Sequence, residues 1–360
     1  MLNLFTSILN FLSNPTIFFT LSCLAWYWIM KYPEKWTPPG VIKWIFLGSL
    51  LLLGISLLDP NFRREALKPD NFPIWLLSYS TGFVFWLAMR RAIVNDERVA
   101  AGDVTIEKTE SDKKVYTWPD LVYSELICMV LGTAFLIVWA IIFKAPLEDP
   151  ANSGVTPAVA KAPWYFLGLQ EILVYYDPWM AGVVLPGMIV VGLIALPYFD
   201  RNPLGNGYYT LKERKLAIWL FGYGFFVLWI ALLFLGTFMR GPGWNFFGPF
   251  EPWDSHKVVA LSNINLSEII WVKLLGVGLP KPWYIREFVG IVLCVGYLAV
   301  LPPVLAATVL HEWYEKMGFL RYNLVVNLLL IMFSLPLKMY LRWGFNLKYI
   351  VTLPDIGLNI

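Results

Sequence analysis

The stretch LAIWLFGYGFFVLWIALLFLGTFM, residues 216–239, contains 24 consecutive residues without a charged side chain. A helix needs about 20 mostly apolar residues to cross the hydrocarbon core of a bilayer. The rest of the chain has the same character, since 58% of its 360 residues are hydrophobic and only 15% are charged. That is more apolar surface than a soluble core of this length buries. The sequence therefore predicts an integral membrane protein.

Seven other stretches are apolar over comparable lengths. Working outward from residues 216–239, they are 179–198, 120–143, 73–89, 41–58, 15–31, 287–310 and 322–343. A backbone in lipid must satisfy its own hydrogen bonds, so each stretch is predicted to be a helix. The predicted fold class is all-α, a polytopic transmembrane protein with about eight spans.

Lys and Arg residues are distributed unevenly between the loops. With the N-terminus outside, the inner loops carry 15 of the 28 positive residues in roughly half the length of the outer loops, so both termini are predicted to face outward.

The chain is predicted to divide into four sections. They are three helices in 1–94, a charged inner linker in 95–117, a three-helix section in 118–239, and an outer aromatic-rich segment with two helices in 240–360.

The basic residues form short clusters at the ends of apolar runs, which does not favour nucleic acid as a partner. The isolated cysteines Cys23, Cys128 and Cys294 form no haem-attachment or metal-binding spacing. A b haem held by two imidazoles needs histidines paired across two helices. The two histidines, His256 and His311, lie on opposite sides of the predicted membrane. We expect no haem and no metal bound by this chain alone, and a single ligand to a partner's haem stays open.

Short motifs follow one another in order around the loop between the fourth and fifth spans. They are Trp118-Pro119-Asp120-Leu121, Leu147-Glu148-Asp149-Pro150-Ala151-Asn152, Thr156-Pro157, Trp164-Tyr165-Phe166, Pro197-Tyr198-Phe199 and Asn202-Pro203. This series resembles the C-terminal domain of cytochrome b, called subunit IV where it is a separate chain. The resemblance covers about a third of the chain, and its order and spacing are more specific than any single motif.

The resemblance implies a subunit of a quinol:cytochrome c oxidoreductase, a bc-type complex in the inner, energy-transducing membrane of a bacterium. In that family the loop lies on the outer side and lines the quinol-oxidation pocket. The implied partners are a haem-bearing cytochrome b subunit, a Rieske 2Fe-2S protein and a c-type cytochrome, in a dimeric complex with membrane lipid. The b haem, the c haem and the cluster would belong to these partners. The substrate would be menaquinol or ubiquinol, and the chain would not be catalytic alone.

The family signature Pro-Glu-Trp-Tyr is altered here, because residues 162–165 read Ala-Pro-Trp-Tyr and lack the acid. The resemblance implies that this acid accepts a proton from quinol. Pro163, Trp164, Tyr165 and Phe166 are predicted to contact the quinol ring, for which aromatic side chains are suited. The resemblance supports this role for Trp164 and Tyr165, and anchoring at the membrane surface is the alternative role of the aromatic residues.

Glu171 is the predicted replacement for the missing acid. It lies two helical turns beyond Trp164 on nearly the same face. An acid at the edge of hydrocarbon is usually functional, so Glu171 is predicted to be the catalytic proton acceptor. The alternative role for this side chain is a cap or a pair with a neighbouring subunit.

Two other functions stay open. The missing glutamate favours a structural membrane anchor of a redox complex without an active quinol site. A transporter would show paired charges in mid-membrane and an inverted repeat, and the sequence shows neither.

Overall fold

The computed structural model describes residues 2–111, 114–143, 147, 150–154, 160–259, 262–353 and 358–360. Some residues used above fall outside these ranges. They are Glu148, Asp149, Thr156 and Pro157 of the motifs and Lys113 of the inner-loop charges.

The described chain is largely helical. Its helices are α1 (Leu2–Leu12), α2 (Pro15–Lys31), α3 (Pro33–Trp36), α4 (Pro39–Ser56), α5 (Pro60–Ala66), α6 (Phe72–Ala100), α7 (Ile106–Glu110), α8 (Thr117–Ile142), α9 (Leu167–Ile172), α10 (Met180–Phe199), α11 (Lys215–Phe238), α12 (266–274), α13 (Trp283–Arg286), α14 (Phe288–Ala307) and α15 (His311–Phe345). Two 3-10 turns cover Trp164–Phe166 and Pro242–Trp244. Strand β1 (Thr352–Leu353) pairs antiparallel with β2 (Leu358–Asn359).

Within the described ranges, seven helices are long and apolar enough to cross a membrane. They are α4, α6, α8, α10, α11, α14 and α15. Helices α1 and α2 pass the same test only as a pair, bent by 77° to each other, which gives up to eight spans. The predicted all-α, polytopic fold is confirmed.

Local signals explain where helices begin. Pro15 occupies the first position of α2, and the Asn14 side chain accepts a hydrogen bond from the Thr16 N–H at 3.2 Å. Asp59 caps α5 in the same way, accepting from the Asn61 N–H at 2.9 Å. The bend between α1 and α2 therefore lies at Asn14 and Pro15, two residues that favour the start of a new helix.

Helix α6 is longer than predicted. It continues to Ala100, into the segment 95–117 that was predicted to be a solvated linker. Asn95 and Asp96 are buried there because backbone groups satisfy them. Asn95 Oδ1 accepts from the Ile106 N–H at 2.9 Å, and Asp96 Oδ2 accepts from the Leu211 N–H at 3.0 Å. This part of the linker is thus folded against the 209–212 turn.

Hydrogen bonds connect the predicted outer segments with one another at one end of the bundle. Others connect the predicted inner segments at the opposite end. Outer pairs include Phe250 with Asn10 and Asn359 with Asp177, both at 3.0 Å, and inner pairs include Asn95 with Tyr209 and Arg321 with Tyr198, both at 2.9 Å. This is the grouping that the eight-span topology predicts. Which end faces the cytoplasm stays a prediction from charge.

The core lies where α2, α6, α9, α11 and α15 meet. Trp26 of α2 is 3% exposed and stacks on Phe226 of α11, with ring centroids 5.6 Å apart. Gly222 allows this approach, since an added Cβ there would overlap the Trp26 ring. Helix α8 contrasts with this core, because none of its residues is buried within the chain.

Candidate functional site

The predicted quinol-binding residues form one turn at the predicted outer end. Pro163 precedes the 3-10 turn in an extended conformation, and its carbonyl accepts from the Phe166 N–H at 2.8 Å. Trp164 is partly buried against the core, whereas Tyr165 and Phe166 are 48% and 51% exposed. The Tyr165 and Phe166 ring centroids lie 4.8 Å apart. The turn therefore offers two adjacent aromatic rings on an open surface.

The turn is held in place by its neighbours. The Gln170 side chain accepts from the Ala162 N–H at 2.8 Å and donates to the Ala160 carbonyl at 2.9 Å, which fixes the chain entering the turn. Helix α9 packs closely on α11 because both carry glycine at the contact. A Cβ at Gly168 would lie 3.0 Å from Trp229, and one at Gly236 would lie 3.1 Å from the Leu167 carbonyl.

Glu171 lies behind this turn in a buried ion pair. Its carboxylate is fully buried and accepts two hydrogen bonds from Arg240, at 2.6 Å from Nη2 and 2.9 Å from Nε. The Tyr175 hydroxyl donates to the same carboxylate at 3.2 Å. Burial alone would lower the pKa of Arg240, but the Glu171 carboxylate raises it above its ordinary value. Arg240 is therefore a permanent cation here.

This arrangement supplies what a buried charge requires, an opposite charge and further hydrogen bonds. The partner of Glu171 lies within the same chain, 69 residues away. The carboxylate does not share the open surface of Tyr165 and Phe166, because it is fully buried and they are half exposed. Its role as proton acceptor stays a prediction.

Lys161 is a second ionisable group beside the turn, and sequence reasoning missed it. Its Nζ donates to the Thr237 carbonyl at 2.6 Å and lies 4.6 Å from the centroid of the Trp253 ring. Burial, with a smaller contribution from the nearby cation of Lys68, lowers the pKa of Lys161 to about 8. An amine with that pKa exchanges protons near neutral pH. No sequence signal distinguishes it from the other loop lysines.

Neither histidine belongs to this turn. His256 is exposed in the outer segment, and His311 Nε2 lies 3.2 Å from Glu315 at the inner end. In the part of the chain that the structure describes, no three His, Cys, Asp or Glu residues come together in a way that could hold a metal ion. The expectation that redox groups belong to partner subunits stays a prediction.

A comparison with protein families bears directly on this turn. Residues 150–240 match the family model described as Cytochrome b(C-terminal)/b6/petD. The predicted family resemblance is confirmed for this segment. The matched cytochrome b segment contains the aromatic turn, Lys161 and both partners of the Glu171–Arg240 pair. It begins after α8, although the motifs quoted above start at Trp118. No solved structure matches the chain.

Proposed function

We propose that the chain is a membrane subunit of a bc-type quinol:cytochrome c oxidoreductase, and that its Trp164–Phe166 turn forms one wall of the quinol-oxidation pocket. The observation that carries this proposal is the position of the exposed Tyr165 and Phe166 rings within the matched cytochrome b segment. Aromatic faces of this kind stack favourably on a flat quinone ring. The location at the predicted outer end fits proton release on that side.

In this proposal the chain binds and orients quinol, and its partners carry the redox groups. Quinol would lose two electrons and two protons as it becomes quinone. One electron would pass to a Rieske 2Fe-2S cluster and then to a c-type cytochrome, and the other would pass to a b haem. The protons would leave at the outer surface. A menaquinol or a ubiquinol ring meets these requirements equally.

The bare helix α8 supports a place beside another membrane subunit. No residue of Thr117–Ile142 is buried within the chain, and near its predicted outer end the Trp139 ring lies 5.1 Å, between centroids, from the Phe72 ring of α6. A haem-bearing cytochrome b subunit in a dimeric bacterial complex would lie next to this helix in the proposed assembly, with lipid on the remaining faces.

Glu171 is the proposed proton acceptor in place of the glutamate that the signature lacks. To take a proton it would have to release the Arg240 guanidinium, so proton uptake would be coupled to a rearrangement behind the aromatic turn. The Tyr175 hydroxyl, 3.2 Å from the carboxylate, would be its remaining polar neighbour.

A structural anchor without quinol chemistry is the second candidate function. It is favoured by the same ion pair, since Glu171 is fully engaged by Arg240 and Tyr175 within the chain. In that case the pair would hold α9 to the end of α11 and would take no part in proton transfer.

The proposal is tested by purifying the chain with its natural partners from solubilised membranes through a tag. We expect a reduced-minus-oxidised spectrum with b haem and quinol-dependent reduction of a c-type cytochrome. Substituting Tyr165 and Phe166 together by Ala should raise the KM for quinol or lower turnover at least tenfold, with unchanged haem content. Tyr198→Ala, which changes a similarly exposed tyrosine at the C-terminal end of α10, is the control. Purification without any b haem or quinol-dependent activity would contradict the proposal.

A further inference from the structure

The first helix, α1, has a free face that is apolar. Leu4, Ile8 and Phe11 on this face are 67%, 50% and 67% exposed. At about 100° per residue, these three side chains fall within about 60° of one another around the helix. They form one continuous row along α1, which we call the α1 stripe.

The opposite face of α1 packs against the outer segment. Asn10 Oδ1 accepts a hydrogen bond from the Phe250 N–H at 3.0 Å, and the Phe5 and Phe250 ring centroids lie 6.2 Å apart. A Cβ at Gly248 would overlap the Asn10 side chain, so the two backbones approach closely here. The Asn61 side chain donates to the Phe250 carbonyl at 3.3 Å. Helix α1 therefore turns the polar Asn10 toward the protein and the α1 stripe away from it.

This arrangement is the reverse of a surface helix in water. Such a helix buries its apolar row against the protein and exposes polar and charged residues. Residues 2–14 contain no charged side chain, and the row that they expose is apolar. An exposed apolar row of this kind marks contact with a membrane or with another protein. The depth and orientation of α1 distinguish the two.

The depth of α1 follows from the helix that it precedes. Helix α2 has 17 residues and is about 26 Å long at 1.5 Å per residue, whereas the hydrocarbon core is about 30 Å thick. Because α1 is bent by 77° from α2, its 11 residues add only about 4 Å along the α2 axis. Helix α2 thus needs its whole length to cross, and α1 lies nearly parallel to the membrane plane at the boundary between hydrocarbon and headgroups.

The contacts of α1 with the outer segment show which way the α1 stripe points. Spanning helix α11 ends at Phe238, so the segment 240–254 that follows it lies on the water side of the boundary. The face of α1 that contacts Phe250 is therefore its water-side face. The α1 stripe on the opposite face points toward the acyl chains, where a soluble protein does not reach. Interfacial helices bury such a face about 5–10 Å into the boundary between headgroups and acyl chains.

We propose that α1 is an interfacial helix that inserts Leu4, Ile8 and Phe11 into the membrane leaflet on the predicted outer side. It thereby anchors to the lipid surface the outer segment that packs on it through Phe250. Because residues 2–14 carry no charge, the attraction comes from buried apolar area and does not require anionic headgroups. This inference does not depend on quinol chemistry at the aromatic turn.

The test is spin labelling of the full chain, purified with its natural partners and reconstituted into phosphatidylcholine nanodiscs. A nitroxide is attached to Ile8→Cys or Phe11→Cys, and Ser255→Cys in the exposed outer segment is the control. Collision rates are measured with oxygen, which concentrates in hydrocarbon, and with a neutral nickel chelate, which stays in water. The native cysteines are first changed to Ala, at Cys23, Cys128 and Cys294.

We expect the ratio of oxygen to nickel collisions to be at least tenfold higher for the Ile8 and Phe11 labels than for the Ser255 label. Adding phosphatidylglycerol should leave this ratio unchanged. Labels that collide mainly with nickel would show that the α1 stripe faces water, and labels that neither reagent reaches would show that a protein subunit covers it. A high ratio that requires phosphatidylglycerol would show attraction by headgroup charge. Each of these three results would overturn the proposal.

Discussion

The Glu171–Arg240 pair ties α9 to the residues just beyond α11 through two charge-assisted hydrogen bonds. Removing one member of such a buried pair leaves the other charge without compensation, which typically costs about 3–5 kcal/mol. We therefore expect Glu171→Gln and Arg240→Gln each to lower the unfolding temperature of the purified complex strongly. The double variant, which buries no charge at this position, should recover most of the loss. Additive losses in the double variant would show that the two side chains do not act as a pair.

The same double variant separates the two candidate roles of Glu171. If the carboxylate accepts a proton from quinol, the assembled double variant should lose turnover at least tenfold and change the pH dependence of its rate. If the pair only holds the turn, turnover should match the wild type at every pH tested. Steady-state quinol oxidation with haem content as the measure of assembly decides between them.

Lys161 gives a prediction for the pH dependence of stability. Burial lowers its pKa from 10.5 to about 8, so between these values the unfolded chain binds more protons than the folded chain. Its contribution to stability should therefore be constant below pH 8 and rise from pH 8 to 10.5. The unfolding temperature of the wild type minus that of Lys161→Met should increase between pH 7.5 and 9.5. A difference that stays constant over this range would contradict the assigned pKa.

Sequence reasoning located some of these residues and missed others, for physical reasons. Glu171 was identifiable because an acid within an apolar stretch is uncommon. Arg240 directly follows the apolar run 216–239, but no local rule pairs it with a residue 69 positions away. The properties of Lys161 come from the Trp253 ring and the Thr237 carbonyl, which only the folded chain brings near it.

Helices α2 and α11 approach each other closely at Gly222. A methyl group at this position would overlap the ring of Trp26, which is itself packed against Phe85 and Phe226. Overpacking of this kind typically costs about 1–3 kcal/mol, so Gly222→Ala should lower the unfolding temperature. Trp26→Phe in the same background should relieve part of the loss.

Gly224→Ala is the matched control for this prediction. It lies on the same helix, and its added Cβ would only meet Met332 Sδ at 3.9 Å, an ordinary contact. We expect little change in its unfolding temperature, measured by thermal denaturation in the same detergent. Equal losses at both glycines would mean that helix propensity or assembly, and not the Trp26 contact, determines the effect.

The spanning helices could be predicted from the sequence because a run of about 20 apolar residues is the length that a helix needs to cross a bilayer. Helix α1 was missed because its 11 residues are too short to span alone. The extension of α6 was missed because Asn95 and Asp96 favour a loop in isolation, and their buried partners lie in distant segments. Strands β1 and β2 were also missed, because two residues in each strand are too few to give a periodic signal in the sequence.

At the scale of the whole molecule, the two polar ends of the bundle should face opposite sides of the membrane. The native cysteines Cys23, Cys128 and Cys294 all lie in spanning helices, so an added cysteine reports its own side. In spheroplasts, an impermeant maleimide should label Ser255→Cys at once and Ser111→Cys only after permeabilisation. The reverse pattern would invert the topology and place the aromatic turn on the cytoplasmic side.

We propose that Trp164–Phe166 contacts quinol within an assembled bc-type complex. The most direct measurement is photolabelling of the complex in its membrane with an azido-quinone, followed by peptide mapping. We expect the label on the peptide that contains Pro163 to Phe166, with loss of labelling when excess unmodified quinol is present. Label confined to partner subunits or to other helices of this chain, with none on this turn, would contradict this proposal.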